Sequence, residues 1–139
     1  MKIWRVGHRT MIIDGIHIGP YWHRTELPVE HSEALRGMSQ AHVDDAHPSP
    51  HWDRKLSCEF TDAHACGFDS EEALYNWFAN WTAVLDAAGF VIRTYQVPDA
   101  DVHCGENGQA VFRMDSASML DVLPLNLDPV QLEIPGVCL

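Results

Sequence analysis

The spacing of apolar positions divides the chain into segments of period two, one segment of period near 3.6, and a long stretch with neither. KIWRVGH, about residues 2–8, alternates β-favouring apolar positions with polar ones and predicts a first strand that carries Arg5 among core-facing neighbours. MIIDGIHIGPYW continues in β-branched residues broken at Asp14-Gly15, whose easy access to positive φ predicts a turn and a hairpin within residues 1–18. Residues 19–57 then lose periodicity. They hold Pro20, Pro28, Pro48 and Pro50, many histidines and only a short helical segment at about 29–36 before Gly37. A loop region of that length inside a small protein is uncommon unless it carries function.

The 3.6-residue period is clearest over about 70–88. Leu74, Trp77, Phe78, Trp81, Val84, Leu85 and Ala88 fall on one face, Asp69 and Glu72 have capping-box spacing, and Gly89 supplies a left-handed stop. FVIRTYQV, closed by Pro98, and QAVFRM, after Asn107-Gly108, read as two strands expected to pair with each other in antiparallel fashion. Residues 115–123 predict a final helical turn or two, and the proline-containing 124–139 an extended C-terminal tail. The fold class is therefore α+β: one domain over 1–139, with a small, mostly antiparallel sheet against one main amphipathic helix and a long His-rich loop region.

Charge narrows the partners. The 139 residues carry 9 Lys plus Arg against 20 Asp plus Glu, a formal net charge of −11. Phosphate-tracking surfaces need Lys and Arg, so direct nucleic-acid binding is disfavoured. The excess is uneven, because residues 1–55 hold seven basic and seven acidic side chains and residues 56–139 hold two and thirteen. Such a surface serves solubility, or it complements a basic face on a partner protein. No apolar run reaches the roughly 18 residues of a membrane span, and MKIWRVGHRT lacks a signal-peptide core, which together predict a cytoplasmic setting with no membrane contact. Cys58, Cys66, Cys104 and Cys138 are too sparse for a disulfide framework and are expected as thiols.

The candidate chemistry lies mostly in the first half. His42, Asp44, Asp45, His47 and His51 fall within ten residues and offer imidazole and carboxylate ligands suited to zinc, with His42, His47 and His51 as the candidate ligands. Their spacing matches no motif of known geometry, and solvated loop histidines explain them equally. Cys58, His64, Cys66, His103 and Cys104 form a second conceivable thiolate and imidazole set, and a Cys–His nucleophile pair is open to Cys58 or Cys66 without any feature that selects one. The chain has no GxSxG, P-loop, GxGxxG or HExxH, which disfavours the common hydrolase, nucleotide-triphosphatase, dinucleotide-fold and metalloprotease readings.

WRVGH with IGPYW, CGFDSEEALYNWF and GQAVF, taken together, resemble a family of small uncharacterised bacteriophage and prophage proteins, with Trp4 and Ala110 in place of that family's tyrosine and valine. The three pieces span most of the chain. The resemblance implies a phage origin and the host cytoplasm more than any particular chemistry. The arrangement is also faintly similar to ADP-ribosyltransferase-like domains, which implies Arg5 or His8 on the dinucleotide, Tyr21 on the nicotinamide ring and Gln109 on the ribose. That similarity makes an NAD-like nucleotide the implied ligand and Gln109 the implied catalytic residue. The late-strand Glu of those domains has no counterpart here other than Glu106.

The leading expectation is a phage accessory protein that binds a small nucleotide-like ligand through Arg5, His8, Gly19, Pro20, Tyr21 and Gln109, with transferase activity as its catalytic form. The residues leave open whether it is an enzyme. Two alternatives from other classes stand beside it: an acidic interaction protein that blocks a host factor, and a metal-binding protein using the His-rich loop.

Overall fold

A computed structural model describes residues 1–21, 27–56 and 60–127. Its centre is a six-stranded antiparallel sheet. The strands are β1 (Lys2–His8), β4 (His64–Phe68), β5 (Phe90–Gln96), β6 (Val102–Cys104), β7 (Gln109–Arg113) and β8 (Ser118–Leu123), in the order β6-β7-β4-β1-β5-β8. A separate two-stranded hairpin, β2 (Ile12–Ile13) and β3 (Ile16–His17), turns at Asp14-Gly15 with both residues at positive φ, as the dipeptide predicts. Three helices complete the fold: α1 (Val29–Ala41), α2 (Glu71–Trp77) and α3 (Thr82–Ala87). The α+β class stands.

Alternation along the strands builds two cores. Val6, Phe68, Phe90 and Ile92 point to the helical side and pack with Leu35, Met38, Leu74, Phe78 and Leu85. Ile3, Ala65, Tyr95, Ala110 and Phe112 form a smaller cluster on the other face, against which Ile16 of the hairpin packs.

Several details depart from the sequence pattern, each for a local reason. The helical segment over 70–88 is two short helices, because Asn80 takes a left-handed conformation (φ 73°) between them. Trp77 and Phe78, at the end of the first helix, are both buried. The N-cap is Ser70, whose Oγ accepts from the Ala73 N–H at 3.1 Å; Asp69 instead donates its own N–H to the Gly108 carbonyl.

β5 and β7 do not pair. β5 is buried at every position but its last and takes β1 and β8 as neighbours, while Asn107-Gly108 closes a hairpin between β6 and β7. Residues 115–123 contain a single 3₁₀ turn at Met114–Ser116 and then the edge strand β8. The loop region 19–57 holds a 13-residue helix that runs through Gly37. Of the expected tail, Leu125 is buried in the helical-side core, and 128–139 lie outside the described residues, as does Cys58.

Two glycines make opposite predictions. A Cβ on Gly67 would sit 2.8 Å from the Trp4 carbonyl and 2.7 Å from Ile3, so Gly67→Ala is expected to destabilise by about 1–3 kcal/mol. Gly37 lies in open space inside α1, and Gly37→Ala is expected to stabilise by about 0.5–1 kcal/mol. Urea denaturation measures both, and a stable Gly67→Ala protein would contradict the close β1–β4 contact.

Candidate functional site

The site begins with a gap in the sheet. β1 pairs with β5 along its whole length, but with β4 it is in register only at Trp4 opposite Phe68. Arg5 fills the opening. Its Nη1 donates to the Cys66 carbonyl at 2.7 Å and its Nη2 to the His17 carbonyl at 2.9 Å, so one guanidinium ties β1 to β4 and to the β2–β3 hairpin. The side chain is buried, and its Nε–H has no partner among the described residues.

Arg93 stands directly opposite on β5, equally buried and also with an unpartnered Nε. Its Nη2 donates to the Arg9 carbonyl at 3.0 Å and its Nη1 approaches the Met119 sulfur at 3.4 Å. Neither arginine forms an ion pair among the described residues. Burial, and then the neighbouring Arg93 charge against partial support from Cys66 and Tyr95, push the Arg5 guanidinium down from its ordinary value.

Beside Arg5 lies a cleft of about 360 Å³, lined among others by Ile13, His17, Gly19, Tyr21 and His64. Asp14 and Asp62 line it too. His64 Nδ1 accepts the Thr61 N–H at 3.1 Å, which leaves the proton of the neutral ring on Nε2 as a donor. Arg5, Gly19 and Tyr21 therefore meet at one cleft.

His8 and Gln109 are held elsewhere. His8 Nδ1 accepts the N–H groups of Thr10 and Met11, and its Nε2 donates to the Ala88 carbonyl at 3.1 Å, so both ring nitrogens are spent on backbone. Gln109 donates to the Pro48 carbonyl at 3.0 Å and to Asp53 Oδ2 at 2.9 Å, fastening the 48–55 loop to β7. It faces away from Ala110 and Phe112, whereas Arg5 lies on their side through Ile3, and β4 separates the two strands. The transferase arrangement, which needs Arg5 and Gln109 on one cleft, is not formed. Pro20 lies with Tyr21 and Gln109 around a small void of about 50 Å³ on the helical side.

The histidine cluster is a hydrogen-bonded wall rather than a ligand set. Tyr21 Oη accepts the Trp77 indole N–H at 2.7 Å and makes a short hydrogen bond with His42 Nδ1. The phenolic oxygen has room both to take the indole proton and to share a hydrogen bond with His42, whose direction follows the His42 tautomer. His42 stacks on His47 with ring centres 3.7 Å apart, and His47 bonds Asp44 Oδ1 at 2.7 Å through Nδ1 and the Trp77 carbonyl at 2.9 Å through Nε2. His51 lies against the Phe60 ring instead. Among the described residues no group of three His, Cys, Asp or Glu side chains is placed to hold a metal; both His47 nitrogens and the His42 Nδ1 are engaged in hydrogen bonds, and His51 is turned to Phe60. A second cleft of about 560 Å³ opens beyond His42, lined by Val43, Asp45, Trp52, Arg54 and Glu106.

The pattern in the sequence missed Arg93, His17, Trp52 and Arg54. Arg93 had a visible signal, a charge inside the apolar run FVIRTYQV. The others depend on how loops return to the sheet.

A family model described as bacteriophage T4 Y00F protein matches residues 1–126. The chain belongs to that family. No curated protein and no solved structure matches it. Family membership makes it a phage protein, and the match covers every strand and helix described above. Among the described residues no helix is long and apolar enough to cross a membrane.

Burial and the stacked His47 lower the pKa of His42 from 6.5 to about 4. The unfolded chain thus takes up this proton first, so the stability His42 contributes is complete above pH 6.5 and is lost as pH falls from there toward 4. His42→Asn keeps an oxygen acceptor for Tyr21 but does not titrate. Its unfolding free energy is expected to fall less steeply than that of wild type between pH 6.5 and 4, and identical slopes in urea titrations would dismiss the assignment.

Proposed function

We propose that this phage protein binds a small nucleotide-like anion in the cleft beside Arg5. The observation that carries the reading is a buried guanidinium, without an ion pair among the described residues and with one N–H unpartnered, in the wall of an open cleft. A desolvated cation is unfavourable by several kcal/mol until an opposite charge approaches, so the site gains from an anion what most proteins supply with a carboxylate. Arg5 retains free donors of its planar fork, which suits phosphate oxygens. His64 adds a donor, Tyr21 offers a partly exposed ring for stacking, and Asp14 and Asp62 accept from hydroxyl or amino groups. A ligand with an anionic group, a flat ring and hydroxyls matches that mixture better than a bare ion. The reading is one of binding, with no reaction assigned.

Thermal-shift titration at fixed ionic strength tests it, with adenosine monophosphate, adenosine and sulfate as probes. The monophosphate is expected to raise the melting temperature and to bind at least about tenfold more tightly than adenosine, with sulfate giving a smaller shift. Arg5→Lys keeps the charge and loses the fork, and its affinity for the monophosphate is expected to fall about tenfold. Equal responses to adenosine and its monophosphate, or none to any probe, would remove the proposal.

A further inference from the structure

The second cleft carries an argument independent of the Arg5 site. Val43 and Trp52 are the most exposed large apolar residues described, at 83% and 82%, and both line this one cleft between the end of α1 and the 48–55 loop. A tryptophan so open to water is a large apolar area left without a partner, and Trp and Arg are the residue types that most often anchor protein interfaces. Trp52 contacts no other aromatic ring among the described residues, and Arg54 beside it has no ion pair among them.

The polar groups around that ring are equally uncommitted. The carboxylates of Asp45 and Glu106 have no hydrogen bond or ion pair among the described residues. His42 lies in the cleft wall with its Nδ1 hydrogen-bonded to Tyr21, and its Nε2 has no hydrogen-bond partner among the described residues.

From this arrangement we infer that the cleft is a docking site for an arginine-bearing segment of a basic protein partner. The guanidinium lies over the Trp52 ring and pairs with Asp45 or Glu106, the backbone of the segment hydrogen-bonds His42 Nε2, and Arg54 takes a backbone carbonyl. Charge complementarity favours a basic partner over an acidic one, since the chain carries −11 overall and the cleft holds the uncommitted carboxylates Asp45 and Glu106, with Asp44 already paired to His47, against the guanidinium of Arg54.

The test uses the full chain and a defined probe, acetyl-Leu-Arg-Leu-Arg-Leu-amide, with its Glu-for-Arg counterpart as control. Binding is followed by calorimetry and by the Trp52 indole N–H signal, assigned through Trp52→Phe. The arginine peptide is expected to shift that signal saturably, the acidic peptide to leave it unmoved, and affinity to fall at least about tenfold in Trp52→Ala and in the Asp45→Asn, Glu106→Gln double variant, with melting temperatures near wild type. Affinity should also fall as salt rises. No saturable shift with the arginine peptide overturns the inference, as does undiminished binding to Trp52→Ala. Free arginine binding as tightly as the peptide would make this a small-molecule site, and a Trp52 shift that follows protein concentration alone would make the occupant a second copy; either outcome also overturns it.

Discussion

Where β1 parts from β4, the sheet loses ladder hydrogen bonds at its centre, and the Arg5 guanidinium replaces them. An antiparallel pair normally exchanges backbone N–H and C=O groups along its length, and a buried carbonyl left without a donor is unfavourable by the full desolvation of that group. Here Cys66 and His17, on different strands, present carbonyls to one side chain that reaches both. Only a planar fork with several donors does this from a single residue, which is why a cation stands in the middle of a strand otherwise buried on both faces. The parted strands leave the β2–β3 hairpin beside the gap, and the cleft lies between them.

That solution creates a second constraint. Arg93 lies across the strand pair from Arg5, and like charges directly opposite destabilise a sheet even at a solvated surface. In the interior both guanidiniums give up water for backbone carbonyls and, in one case, a thioether. Carbonyls satisfy hydrogen bonds without neutralising charge, so the electrostatic imbalance persists after the geometric one is resolved. A protein that keeps such a pair in an otherwise acidic chain has a positive interior against a negative exterior. The opening at Arg5 is where that interior comes nearest to solvent.

The sequence made the class of fold legible because it depends on periodicity, and periodicity survives errors of register. β1, β5, β7 and the Asp14-Gly15 turn fall where alternation and turn chemistry put them. Pairing partners were not legible, since β5 and β7 have similar patterns and neighbours in a sheet are chosen by burial on both edges. The division of α2 from α3 turns on Asn80, a residue tolerated in helices but also at ease in the left-handed region, so the apolar 3.6-residue period runs across the break and does not reveal it. Arg5, Tyr21 and Gln109 are grouped through the transferase-like resemblance alone; Arg5 and Tyr21 line one cleft, whereas Gln109 lies on the other face because a one-residue alternation decides which face a strand residue takes.

Tyr21 is the element shared by both clefts. Its ring lines the Arg5 cleft, and its hydroxyl bonds His42, which lines the other. Trp77 donates to that hydroxyl from below, and the indole, which can only donate, thereby holds the tyrosine oxygen against His42. The consequence is that His42 Nδ1 stays engaged for as long as Tyr21 stays against Trp77. Burial raises the Tyr21 pKa, so the unfolded chain loses that proton first and the stability the phenol contributes falls as pH rises above its ordinary 10; at the acid end the weak point is protonation of His42, which removes the acceptor. The two surfaces are thus joined by one tyrosine whose orientation both depend on, and a ligand that displaced its ring from the Arg5 side would also loosen the His42 ring presented on the other.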